Sequence, residues 1–118
     1  MFDFEKLIAY QKARDTNKKI QKLLIEKKTN LFLRDQLYRA SISMVINIAE
    51  GTGKLSKNDR KNFYVISRGS VFECASLIEL LYDENIITKN DLNSLKSDLE
   101  EISRLLSGLI NSFTKCNI

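Results

Sequence analysis

The sequence predicts an all-α fold, an antiparallel up-down-up-down four-helix bundle in which residues 1–118 form one domain. Three observations predict this fold. The chain has no proline and only four glycines, which favours long helices over β-hairpins. Apolar residues recur at helical spacing in four segments. The connections between these segments are short, so consecutive helices are expected to be antiparallel neighbours.

The first two helices are predicted over residues 4–26 and 31–51. The first has apolar residues near both ends, whereas its middle, QKARDTNKK, is weakly patterned. The second has a regular stripe on one face, formed by Leu33, Leu37, Ala40, Met44, Asn47 and Gly51. Residues i, i+4 and i+7 share a helical face, so this stripe is expected to face the core.

The stretch MVINIA, Met44 to Ala49, is apolar at every position but one. A bundle helix normally keeps a polar face for water, so this stretch needs cover on its outer side as well. Either helix 1 wraps it closely or another subunit covers it. We favour a second copy of the chain, with Val45, Ile46 and Ile48 at the oligomer interface.

The third and fourth helices are predicted over residues 56–83 and 89–115. Each begins with a capping pattern, Ser56 with Asp59 and Thr88 with Asp91. The fourth helix has an unbroken heptad pattern of Leu92, Leu95, Leu99, Ile102, Leu106, Leu109 and Phe113. The third carries Phe63, Ile66, Ser70, Cys74, Leu77 and Leu81 on one face.

The stretch NIAEGTGK invites comparison with a phosphate-binding loop. Such a loop needs four residues between its glycines and a strand before it, whereas here the glycines are two apart and follow a helix. The better interpretation is a helix end, with Gly51 or Gly53 in the left-handed conformation and Ser56 capping the next helix.

A polar network is expected between the second and third helices. A hairpin turning near Gly53 places Asn47 and Glu50 near the start of helix 3, with Arg60 as the buried partner of both. Farther along, Arg39 or Arg68 is expected to pair with Glu73, and Gly69 to permit close helix contact. The structural network is therefore predicted to comprise Gln36, Arg39, Asn47, Glu50, Arg60, Arg68, Ser70 and Glu73.

Composition argues against most catalytic chemistry. There is no histidine, only two cysteines, and no clustered ligand set, so we expect no metal, no cofactor and no enzyme activity. Cys74 and Cys116 are expected to be free thiols in a reducing compartment. No apolar run is long enough to cross a membrane and no signal peptide is recognisable, so we expect a cytoplasmic protein.

Charge is unevenly distributed along the chain. Residues 1–62 hold 14 Lys and Arg against 7 Asp and Glu, a balance of +7, whereas residues 63–118 hold 5 against 8, a balance of −3. A basic half suggests an anionic partner, nucleic acid first, although it is also compatible with a solvated lysine-rich surface. The binding candidates are Lys54, Lys57 and Lys61, with a second patch at Lys18, Lys19 and Lys22.

Three stretches resemble one bacterial family: FEKLIAYQKA at 4–13, QLYRASISMVINIAEG at 36–51 and ISRGSVFE at 66–73. The chain is similar to the four-helix-bundle proteins encoded in intervening sequences of 23S ribosomal RNA genes. Two positions depart from the family pattern, which often has proline in place of Val45 and arginine in place of Tyr38. The family's signature positions match Gln36, Arg39, Asn47, Glu50, Gly51, Arg68, Gly69, Ser70 and Glu73.

The resemblance implies a ring-shaped homopentamer. It also implies a relation to the accessory proteins of diversity-generating retroelements, which are basic pentamers that bind nucleic acid and a reverse transcriptase. Two functions follow as hypotheses. One is an oligomer that binds structured RNA or DNA without strong sequence preference. The alternative is a protein–protein adaptor or structural ring without a nucleic-acid role.

Overall fold

Four helices account for nearly all of the chain. The computed structural model describes residues 1–115, with side chains through residue 114, so Cys116 lies outside the described residues. The helices are α1 (Ile8–Glu26), α2 (Leu31–Thr52), α3 (Lys57–Asp83) and α4 (Lys89–Lys115). Residues 1–115 contain no strand, which confirms the all-α class. The ends of α2, α3 and α4 lie within one residue of the predicted positions.

The first helix begins later than predicted. Residues Asp3–Lys6 form a separate 3-10 turn, and Leu7 is extended. The Phe2 amide donates a hydrogen bond to the Glu5 carboxylate at 2.7 Å, and the Gln11 side chain donates to the Glu5 carbonyl at 2.9 Å. Such local side-chain bonds compete with helical pairing, which explains the break before Ile8.

Side chains cap three of the helices. The Ser56 hydroxyl accepts the Asp59 amide at 3.1 Å, which confirms the predicted cap of α3. At α4, Thr88 accepts the Asp91 amide at 3.1 Å and the Thr88 amide donates to the Asp91 carboxylate at 3.3 Å, a reciprocal capping box. Asn30 caps α2 by accepting the Leu33 amide at 2.8 Å, a cap missed in the sequence.

The apolar faces of the four helices meet in one core. Each helix packs on the next one in the chain, and α1 also packs on α4. The heptad residues Leu95, Leu99, Ile102 and Leu106 are all buried there. Cys74 also lies in this core, where burial and the neighbouring Glu73 charge raise its thiol pKa to about 12. The thiol is therefore protonated at neutral pH and is not activated as a nucleophile.

Gly51 permits the close approach of α2 and α3. A Cβ atom built on Gly51 would lie 2.9 Å from the Phe63 Cβ and 3.2 Å from the Arg60 carbonyl oxygen. The prediction that Gly69 permits this close approach is wrong, because a Cβ there meets no atom within 4 Å.

The end of α2 lacks the predicted left-handed glycine, since neither glycine of the described turn has a positive φ. Gly53 has a φ of −80°, and the amides of Gly53 and Lys54 both donate hydrogen bonds to carbonyls of α2.

Replacing Gly51 with valine is expected to destabilise the protein by about 2–3 kcal/mol, because the new side chain overpacks a contact that includes backbone. The matched control is Gly108→Val in α4, where a Cβ meets nothing within 4 Å. Urea unfolding followed by circular dichroism measures both. Equal midpoints for the two variants would show that α2 and α3 do not depend on the close approach at Gly51.

Candidate nucleic-acid interface

The turn between α2 and α3 is held by Arg60. Its Nε donates a 2.6 Å hydrogen bond to the Lys54 carbonyl, which ties the first turns of α3 to the turn backbone. The predicted partner of Arg60 was Glu50, and this prediction is wrong. Glu50 is exposed, and no ion pair joins it to Arg60 among the described side chains. Arg60 therefore stabilises the turn through this bond to the Lys54 carbonyl.

The three lysines predicted to bind nucleic acid surround this turn. The Lys54 ammonium lies 4.9 Å from the centroid of the Phe63 ring, a cation–π contact that holds the side chain against α3. Lys57 is exposed and Lys61 is half-buried. None of the three forms an ion pair with a described residue. Residues 50–62 carry four basic and two acidic side chains, so the turn keeps a positive balance of +2.

The second predicted patch is different, because α4 compensates part of its charge. Lys19 pairs with Asp98 at 2.7 Å. Lys22 lines a groove together with Glu26 and Asp91, and Lys18 is exposed. Asp98 and Asp91 belong to α4, far from the α1 lysines in sequence, so the run of lysines gave no sign of them. The packing of α4 on α1 therefore gives this face a mixture of positive and negative charges, whereas the turn keeps a positive balance.

The pairing of α2 with α3 lies one to two helical turns away from the predicted register. Ser43 and Ser70 share a 2.8 Å hydrogen bond, and the Ser67 hydroxyl donates to the Met44 carbonyl at 2.6 Å. Asn47 lies next to these pairs and donates to the Ser43 carbonyl at 2.8 Å and to the Ser43 hydroxyl at 3.0 Å. It does not face Arg60. Hydrogen bonds of serine hydroxyls therefore join α2 to α3, whereas buried charged side chains were predicted there.

The remaining members of that network are not brought together. Arg39 and Glu73 are exposed, and Gln36 is half-buried. Arg68 lies on the flank of α3 toward α4, where its Nε donates to the Ser107 hydroxyl at 3.0 Å. Neither predicted ion pair to Glu73 forms within the described residues. The charges of Arg39, Glu50 and Glu73 are thus solvated.

The residues predicted for the oligomer interface divide between the core and the surface. Ile48 is 0% exposed and belongs to the monomer core, so its assignment to the surface was wrong. Val45 is half-buried against the core, whereas Ile46 is 46% exposed. The hydrogen bond between Ser67 and Met44 places Ile66 of α3, which is 50% exposed, at the same level of the bundle as Ile46. Two neighbouring isoleucines therefore form an outer apolar patch.

The described residues show neither a candidate metal site nor a helix that could span a membrane. No group of three His, Cys, Asp or Glu side chains within that part of the chain is placed to hold a metal ion. None of its helices is long and apolar enough to cross a membrane.

Comparison with known proteins identifies the family. The fold is similar to the crystal structure of a protein of unknown function from the S23 ribosomal protein family of Bacteroides thetaiotaomicron VPI-5482, with a TM-score of 0.82 and 25% sequence identity. The alignment covers 87% of this chain and 98% of that one. No curated protein matches the chain. The model of the 23S rRNA-intervening sequence protein family matches residues 5–108, so the chain belongs to that family.

Proposed function

We propose that the protein is a non-enzymatic oligomer that binds RNA or DNA electrostatically through the turn between α2 and α3. The observation that supports this proposal is the unpaired charge of Lys54, Lys57 and Lys61. The three ion pairs of the described residues all lie elsewhere, at Lys12, Lys19 and Lys96. Lysines that lack carboxylate partners are free to neutralise phosphates, and phosphate contacts supply most non-specific affinity for nucleic acids.

The proposal includes an up-down-up-down bundle assembled as a ring, for which a pentamer is our working stoichiometry. Pairs between α2 and α3 run in opposite order along the chain, from Ser43 with Ser70 to Thr52 with Tyr64, which supports the up-down arrangement. The patch of Ile46 and Ile66 supports an interface between copies. Five copies at +4 each carry about +20, and the lysine turn repeats once per subunit.

An adaptor or structural ring without a nucleic-acid role is the second candidate, and the same exposed isoleucines favour it. Gel shifts of RNA and DNA duplexes at about 50 and about 200 mM salt separate the two functions. Three phosphate contacts per binding unit predict an affinity about 40-fold lower at the higher salt, because each duplex contact contributes about 0.9 to the slope. No shift at the lower salt would leave the adaptor as the better account.

A further inference from the structure

A groove runs along the outer surface between α3 and α4. It contains two neighbouring depressions. One, of about 320 Å³, is lined by Val65, Arg68, Ser107, Ile110 and Asn111. The other, of about 340 Å³, is mainly apolar and lies between Phe72 and Ala75 of α3 and Leu99 and Arg104 of α4. Arg68 lines the first depression and Phe72 the second, so these residues mark the boundary between them.

Arg68 and Phe72 form a stacked pair at this boundary. The Arg68 guanidinium carbon lies 4.5 Å from the centroid of the Phe72 ring, and its Nε is held by the Ser107 hydroxyl. The terminal nitrogens of the Arg68 guanidinium have no hydrogen-bond partner among the described residues. Phe72 is 54% exposed, so part of its ring is open to a ligand. Aromatic rings and guanidinium planes are the groups on which proteins stack unpaired bases.

The positive charge of the turn leads into this groove. Lys57, Lys61 and Arg68 are spaced by four and seven residues, which places them on one flank of α3. At 1.5 Å per residue, Lys61 and Phe72 are about 16 Å apart along the helix. The far end of the groove is close to neutral, since Lys96 pairs with Glu79 at 2.7 Å and Glu100 lies nearby. Phosphate contacts are therefore concentrated at the end near the turn.

We propose that this groove binds unpaired nucleotides, with a base stacked on Phe72 and Arg68 while phosphates farther along the same strand contact Lys57 and Lys61. The inference rests on the proposed nucleic-acid function and narrows its ligand to single-stranded segments or loops. Bases within a duplex are already stacked on each other, so only an unpaired base can reach Phe72. A mainly apolar depression beside a cationic stripe fits a nucleobase and the phosphates of its strand better than it fits an acidic side chain.

A tryptophan reporter tests the groove directly, because the natural chain contains no tryptophan. In Phe72→Trp, the indole fluorescence is expected to be quenched by a short single-stranded RNA, and less by the same sequence as a blunt duplex. The control is Leu80→Trp, at a position of α3 that is 44% exposed and does not line the groove. Its emission is expected to be unchanged by either probe.

The affinity of Phe72→Ala for single-stranded RNA measures how much base stacking on Phe72 contributes to binding. Loss of one stacked base is expected to weaken single-strand binding about 5- to 150-fold, while duplex binding changes less than about twofold. If wild-type protein binds RNA but Phe72→Ala binds equally well and Phe72→Trp is not quenched, the groove inference is overturned and the proposed function stands. If wild-type protein binds neither probe at low salt, the proposed function fails. Quenching by polyglutamate but not by RNA would assign the groove to an acidic polypeptide.

Discussion

Changing Lys54, Lys57 and Lys61 together to glutamate is expected to abolish nucleic-acid binding, with affinity at low salt reduced at least about 100-fold. The substitution replaces three attractive charges with three repulsive ones at a turn whose lysines form no ion pair with a described residue. Fluorescence anisotropy with labelled RNA measures the loss.

The triple change should leave the fold intact. Lys57 is exposed in the first turn of α3, where a carboxylate is favoured by the helix dipole. Lys54 loses its contact with Phe63, a cost of about 0.5–1 kcal/mol. The matched control is Lys18, Lys22 and Lys28 to glutamate, an equal charge change at exposed positions outside the turn. If the control abolished binding and the turn variant did not, the interface would lie on α1.

Ile46→Asp is expected to convert the proposed oligomer into monomers. A pentamer of 13.6-kDa subunits has a mass of about 68 kDa, and the variant is expected at 13.6 kDa. The reason is that an unpaired carboxylate cannot be desolvated in an apolar contact without a cost of several kcal/mol. Ile46 is on the outer surface of its own subunit, so the change should not unfold the monomer.

Light scattering coupled to gel filtration measures the two masses. Leu55→Asp is the control, because Leu55 is 98% exposed in the turn and lies off the Ile46 and Ile66 patch. Its mass should equal that of the wild type. A wild-type mass of 13.6 kDa at micromolar concentration would contradict the oligomer, and Leu55→Asp monomers would move the interface to the turn.

The elements that the sequence predicted well depend on local signals. The heptad pattern of α4 sets its buried face without reference to the rest of the chain, and Ser56 and Thr88 cap helices through residues three positions away. Ile48 could also have been placed correctly. It continues the stripe of Leu33, Leu37, Ala40 and Met44 by one further step of four residues, which is the core spacing.

The predictions that were wrong concern contacts between different helices. The register of α2 against α3 depends on how Gly51 packs on Phe63, and no local pattern specifies that contact. A shift of one to two turns moved Arg60 away from Asn47 and Glu50 and placed Ser43 opposite Ser70. Likewise, the pairing of Lys19 with Asp98 joins residues far apart in sequence. The charge compensation of α1 could therefore be recognised only in the folded protein.

The salt dependence of RNA binding tests the central claim most directly. Anisotropy titrations over a range of salt concentrations compare the wild type with the variant in which Lys54, Lys57 and Lys61 are changed to glutamine. The account predicts that log affinity falls linearly with log salt for the wild type. It predicts a slope shallower by about 2–3 for the variant, about 0.7–0.9 for each lost phosphate contact. Identical slopes for the two proteins would contradict the assignment of phosphate binding to the α2–α3 turn.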